Sequence, residues 1–225
     1  MDLLLAQAYP TYLPLLQRYA HALRSRNALL KRSMADELAL DSFTTEVVSA
    51  GQNITRMRRE LVPRLAPLVR VAYGRISNEA ETLRLEYRPS VKTDFAVQLR
   101  QSCQRERSYG ATLIGPHRDE LDLLLNDRPA AQYGSEGQKR TLAIALKMAQ
   151  AEYLLDIHGS APLLLIDDVM GELDLSRRAA LLPLLDRARQ ASGQIFMTAT
   201  EQSWPEEIGR DVQKWNVDSG SLAKT

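Results

Sequence analysis

Pro162-Leu163-Leu164-Leu165-Ile166-Asp167-Asp168 is an apolar run ending in two adjacent carboxylates. A strand apolar on both faces belongs in the middle of a covered sheet, and acids at its C-terminal end sit where α/β sheets take their ligands. Upstream, Ser135-Glu136-Gly137-Gln138-Lys139-Arg140 opens a stretch with two apolar faces at helical spacing. Leu142, Ala145, Leu146 and Ala149 form one, and Ile144, Met148, Ala151 and Leu155 the other, so a well-buried helix is predicted from 135 to about 157. Before it, the pattern reads as a strand Ala111-Thr112-Leu113-Ile114, a Gly115-Pro116 turn, a strand from Glu120 to Asn126 and a turn at Asp127-Arg128-Pro129. Helices alternating with apolar strands predict a layered α/β domain with a central sheet.

The preceding half reads as helices. Leu15, Leu16, Tyr19, Leu23 and Leu30 share one helical stripe, which predicts a helix over about 11–33. Residues 36–75 predict a second long helix, then a kinked or restarted one, because Pro63 and Pro67 interrupt it. Leu83, Leu85 and Tyr87 alternate with Arg84 and Glu86 as a strand closed by Pro89, and 91–107 is helical again. The domain organisation expected is a helical arm over 1–108 and an α/β head over 109–225.

The chain has 225 residues, 44% hydrophobic and 25% charged, with a net charge of +1, which excludes a disordered or collagenous chain. Cys103 is the single cysteine and cannot form an internal bridge, and no apolar run reaches the ~18 residues of a membrane span. Met1-Asp2-Leu3-Leu4-Leu5 lacks the basic and long apolar regions of a signal peptide, so a cytoplasmic location is expected. Residues 1–108 carry 17 Lys and Arg against 11 Asp and Glu, and 109–225 carry 12 against 17. The basic excess is arginine, and Arg24, Arg26, Arg32, Arg56, Arg58 and Arg59 are candidate phosphate contacts; solvated helix faces account for the same pattern. His117-Arg118 after the Gly-Pro turn could meet a phosphate, or form a local ion-pair network with Asp119 and Glu120. Three scattered histidines and one cysteine argue against a Ser-His-Asp or Cys-His nucleophile and against a metal-ligand cluster.

Ser135 and Gln138 have the spacing of a capping box, and Gly137 leaves backbone amides open, so this helix start favours an anion; an ordinary capped helix has the same signature. Of the paired acids, Asp167 would hold Mg²⁺ through its water shell and Asp168 would orient an attacking water in phosphoryl transfer. A strand running into a solvated turn would also end this way.

The order S-x-G-Q-K-R, a helix and loop of about 25 residues, LLLIDD and then Glu172-Leu173-Asp174 resembles the C-terminal half of an SMC-like ABC-type ATPase head. Within that class, four stretches resemble the RecF family of bacterial DNA replication and repair proteins, from about residue 9 to the end. They are Tyr9-Pro10-x-Tyr12 with Leu16-Gln17-Arg18-Tyr19, Ala22 to Leu30, Gly115-Pro116-His117-Arg118-Asp119-Glu120-Leu121, and Ile166-Asp167-Asp168 with Glu172-Leu173-Asp174. The resemblance implies a partial ABC-type head preceded by a helical lobe II arm. It implies that Ser135, Gly137 and Gln138 are the signature that meets the γ-phosphate of ATP held by the opposite protomer. It makes Asp167 the Walker B magnesium residue, Asp168 the catalytic carboxylate, Asp174 the D-loop aspartate, and Met197-Thr198-Ala199-Thr200 the switch. It further implies ATP-driven homodimers, DNA binding at single-strand/duplex junctions, RecR and RecO-like partners, and a role in recombinational repair and the SOS response.

Three departures stand against the family pattern. The switch has no histidine, leaving Thr198 or Thr200 to sense the γ-phosphate, and Asp168 is one methylene shorter than the usual glutamate, which suits slow hydrolysis. The Walker A loop G-x-x-x-x-G-K-[ST] is absent from the 225 residues, so the chain is expected to be a fragment or to act with a lobe supplied elsewhere. The strand ending at Asp168 is then expected to lack a neighbour and to expose an edge. The other reading is a non-enzymatic DNA- or protein-interaction module that has lost nucleotide binding.

Overall fold

Asp36 starts the longest element: its carboxylate accepts from the Ala39 amide at 3.1 Å, and the helix then runs unbroken over Glu37–Ile76. The computed structural model describes residues 1–32, 36–77, 81–168, 185–186, 193–200 and 212–224. The chain divides into two compact units, Met1–Gly159 and Ser160–Thr225.

The first unit holds α1 (Asp2–Ala8), α2 (Tyr12–Leu30), α3 (Glu37–Ile76), β1 (Leu83–Arg88), α4 (Phe95–Tyr109), a single 3₁₀ turn at Pro116–Arg118, β2 (Glu120–Leu125), β3 (Arg128–Pro129), α5 (Ala130–Tyr133) and α6 (Glu136–His158). α3 carries the core, with Val47, Ala50, Ile54, Leu61, Leu65, Val69, Ala72 and Ile76 buried on one stripe, and α2 and α6 pack against it. Pro63 and Pro67 neither end nor restart the helix as expected. Both lie on the exposed side of α3, where the carbonyls four residues earlier can bond to water instead of the missing N–H. Ala145 and Ala149 of α6 are fully buried, and small side chains there allow a close approach of helices.

The sheet of this unit has the order β1-β2-β3, all antiparallel, with Leu83 opposite Leu125 and Arg88 opposite Glu120. The predicted strand at Ala111–Ile114 is not one. The Ala111 N–H goes back to the Glu106 carbonyl at 3.1 Å, and the next two donors go to side chains, Thr112 N–H to Asn27 at 2.8 Å and Leu113 N–H to Glu106 at 2.8 Å, so these three are not available to a ladder. Gly115 then turns with φ +136°, and a Cβ there would lie 2.5 Å from the Tyr19 hydroxyl, so only glycine fits.

In the second unit β4 (Leu164–Asp167) pairs in parallel with β5 (Ile195–Thr198), in register from Leu164 opposite Ile195 to Asp167 opposite Thr198. β6 (Trp215–Asp218) and β7 (Ser221–Lys224) form a hairpin whose turn residues Ser219 and Gly220 both have positive φ, the geometry of a tight hairpin turn. Among the described residues β4 has only β5 beside it, and one face of the pair is open: Leu165 is 75% exposed and Phe196, opposite it, 60%. The architecture is mixed α/β.

Candidate functional site

The start of α6 is built by reciprocal hydrogen bonds. The Ser135 hydroxyl accepts from the Gln138 amide at 3.2 Å, and the Gln138 side-chain carbonyl accepts from the Ser135 amide at 2.6 Å. The capping box read from the sequence is therefore formed. The amides of Glu136 and Gly137 lie in the first turn, where no helical carbonyl precedes them, and they are the donors that a helix start offers to an anion. The Ser135 hydroxyl accepts one bond and keeps its own proton to donate. Gly134 sets the approach: a Cβ there would lie 2.6 Å from the Ala130 carbonyl oxygen.

One participant had no signal in the sequence. Glu81 accepts from the Gln138 side-chain amide with one carboxylate oxygen and from the Tyr73 hydroxyl with the other. It lies 57 residues from Gln138 in sequence, just before β1, in no motif.

The acids at the end of β4 are organised by Thr198. Its hydroxyl donates to Asp167 Oδ1 at 2.6 Å and accepts from the Asp168 amide at 3.0 Å, while the Thr198 carbonyl takes the same amide at 3.2 Å. Asp168 has φ +48°, a left-handed conformation that Asp adopts more readily than most residues, and it lies just beyond the ladder. Both carboxylates are exposed. Asp167 thus keeps acceptor sites for a hydrated divalent cation, and among the described residues no group of three or more His, Cys, Asp or Glu gathers. One carboxylate plus water and phosphate oxygens is the donor set Mg²⁺ takes, so the residues present fit that ion. Thr200 is exposed beyond β5. Asp174 lies outside the described residues.

The arginine candidates separate into two groups. Arg24, Arg32, Arg56, Arg59 and Arg118 are exposed; Arg56 pairs with Glu60 at 2.9 Å and Arg59 reaches the Val91 carbonyl at 3.4 Å. Arg26 and Arg58 are only 2% and 6% exposed, and this corrects their place among the phosphate contacts. Arg26 bonds Glu106 at 2.7 Å, Thr112 at 2.6 Å and Thr44 at 2.9 Å. Arg58 forks onto Asp2 at 2.9 and 3.0 Å and also bonds Asp119 and the Pro116 carbonyl. These guanidinium groups are enclosed and paired, so they cannot meet an external phosphate.

His117 is held at both nitrogens, Nδ1 by the Tyr19 hydroxyl at 2.7 Å and Nε2 by the Thr112 carbonyl at 3.1 Å. A carbonyl only accepts, so Nε2 carries the proton and Nδ1 accepts from Tyr19. Partial desolvation of the ring holds the imidazole below its ordinary pKa, against the opposing pull of the Thr112 carbonyl. Asp119 pairs with Arg58 rather than Arg118, and it also takes the Tyr87 hydroxyl and, at 2.8 Å, the Ser90 amide. Glu120 pairs with Arg88 at 2.7 Å. The ion-pair network exists here, but with partners from α3 and β1.

No protein-family model matches the chain. It is 39% identical over 219 residues, 91% of its length, to "DNA replication and repair protein RecF" of Cyanothece sp., covering 58% of that protein. It is 38% identical over 99% of its length to the protein of the same name from Acaryochloris marina, covering 61%. The chain is homologous to RecF. Two solved structures agree, described as the recombination mediator protein RecF with ATPrS and with ATP in the RecFOR pathway. Each has a TM-score of 0.82 and 26% identity, over 99% and 100% of this chain and 61% of the other. The chain spans about three-fifths of the length of the RecF relatives it matches and corresponds to their C-terminal part. Among the described residues no helix is long and apolar enough to cross a membrane.

Proposed function

We propose that the chain supplies the signature and Walker B parts of a RecF-type ABC ATPase that clamps DNA at single-strand/duplex junctions during replication and recombinational repair. In this reading residues 1–108 are the lobe II arm and 109–225 belong to the ATPase head. The amides of Glu136 and Gly137 and the Ser135 hydroxyl meet the γ-phosphate of ATP bound by the opposite protomer, where the helix dipole favours negative charge. Gln138 holds that turn in place. Mg²⁺, when bound, neutralises phosphate charge, and Asp167 is the residue that holds it through water. Asp168 accepts a hydrogen bond from the attacking water and orients it. Thr198 ties the two acids together, and with Thr200 it senses whether the γ-phosphate is present. Asp174 crosses the dimer interface.

The observation that carries this reading is the Thr198 hydroxyl bridging Asp167 and the Asp168 amide at the end of a parallel strand pair. The loop that cradles β- and γ-phosphates is supplied by residues outside the 225, because no G-x-x-x-x-G-K-[ST] is present. ATP-bound dimers and RecR- and RecO-like proteins are the partners, in the cytoplasm, with slow turnover serving a switch in the SOS response. DNA phosphates meet the exposed set Arg24, Arg32, Arg56, Arg59 and Arg118. Calorimetric titration with ATP and Mg²⁺ tests the nucleotide part, comparing the chain alone with the chain fused behind a complete RecF-type first lobe. Binding by the fusion only is expected. Binding by neither would reduce the site residues to relics and favour the interaction module.

A further inference from the structure

Gln138 has two ends, and each meets a group that leaves no choice of orientation. Its carbonyl oxygen faces the Ser135 amide, which only donates, and its NH₂ faces the Glu81 carboxylate, which in its ionised form only accepts. A carboxylate placed on the NH₂ side holds the carbonyl side against the cap. Glu81's second oxygen takes the hydroxyl of Tyr73, a buried residue in the last turn of α3. The Ser135 turn is thus tied through Gln138 and Glu81 to the end of the long helix that carries the core of this unit.

We propose that Glu81 is a positioning residue for the signature turn, fixing Gln138 so that the Ser135 cap keeps its amides and hydroxyl aimed at an incoming phosphate, with Tyr73 relaying the state of α3 to it. This rests on the reading of Ser135 and Gly137 as a γ-phosphate site. Glu81 touches no phosphate. It acts only through the side chain that closes the capping box, which distinguishes it from Ser135.

Charge sharpens the arrangement. A carboxylate near a helix start is favoured by the dipole, yet it would repel a phosphate that came to the same place. Here it bonds the Gln138 side chain, and the amides of Glu136 and Gly137 are left for the ligand. A neutral glutamine at 81 could do the same job: its carbonyl accepts from Gln138 and its NH₂ donates to the Tyr73 oxygen. An alanine could do neither.

Two experiments test this, one without nucleotide. In the isolated chain, amide hydrogen exchange at Ser135 is compared with that at Ala145 in the core of α6. Glu81→Ala is expected to raise Ser135 exchange at least 10-fold relative to Ala145, and Glu81→Gln to restore it to within about 3-fold of the parent. Unchanged Ser135 exchange in Glu81→Ala, or equal acceleration at both sites, overturns the positioning role. In the second experiment the chain fused behind a RecF-type first lobe is assayed for ATP-dependent self-association, with Ser135→Ala as reference. Glu81→Ala and Tyr73→Phe are expected to weaken association roughly 10-fold and 3-fold, and Glu81→Gln to rescue it. Loss with Ser135→Ala but none with Glu81→Ala refutes this inference and leaves the phosphate reading standing. No loss with Ser135→Ala refutes that reading, and the link from Glu81 to nucleotide with it.

Discussion

Replacing Arg26 by methionine separates folding from DNA binding. The side chain is 2% exposed, its partner Glu106 is fully buried, and their 2.7 Å contact is reinforced by Thr44 and Thr112. Methionine keeps much of the volume but leaves the Glu106 carboxylate buried without its cation, with only the Leu113 amide of its present donors retained. Breaking a buried pair by removing one partner costs about 3–5 kcal/mol, a large share of the ~5–15 kcal/mol that holds a domain folded. For a unit of this size each kcal/mol moves Tm by about 2–4 °C, so a fall of roughly 6–20 °C is expected. The assay pairs thermal unfolding followed by circular dichroism with DNA affinity measured at several salt concentrations, below the variant's melting range. Affinity and its salt slope should match the parent, because Arg26 meets no phosphate. A stability loss under about 1 kcal/mol, together with weaker DNA binding and a shallower salt slope, would refute the burial argument.

Further outcomes follow from the same structure. Arg24→Ala with Arg32→Ala should leave Tm within a degree or two and reduce the log–log salt slope of DNA affinity by about one unit for each phosphate that is no longer neutralised, read by fluorescence anisotropy. Ser135→Ala removes the cap oxygen that Gln138 N–H uses and should cost about 0.5–2 kcal/mol in chemical denaturation. His117 is protonated less readily folded than unfolded, so the unfolded chain binds more protons near and below the ordinary histidine pKa. The contribution of this site to stability is present above the ordinary histidine pKa of about 6.5 and is lost as pH falls below it, and His117→Asn should flatten that part of the decline in Tm measured from pH 7.5 to 5.5.

The site was partly legible because two of its elements are local. A capping box needs residues three apart, and paired acids after an apolar run need only a strand, so Ser135, Gln138, Asp167 and Asp168 stand in the sequence as they stand in the structure. The burial of Arg26 was legible too, in a signal that charge counting hides: Tyr19, Ala22, Arg26, Leu29 and Leu30 fall on one helical stripe. Arg58 likewise continues the stripe of Val47, Ala50, Ile54, Leu61 and Leu65. Counting arginine as a surface residue overlooks its position on an apolar stripe. The Ala111–Ile114 segment failed for another reason, since β-rich residues do not reveal that Asn27 and Glu106, on other elements, will take its amides. Glu81 was beyond reach of any pattern, because its role exists only once the end of α3 and the start of α6 are brought together.

The central claim is that the signature turn and the Thr198-tied acids read and slowly hydrolyse a γ-phosphate. ATP turnover by the chain fused behind a complete RecF-type first lobe, with Asp168→Asn beside the parent, tests it most directly. Slow turnover in the parent, with a loss of 100-fold or more in Asp168→Asn while ATP-driven association persists, is the predicted result. Equal turnover in the two proteins would contradict it.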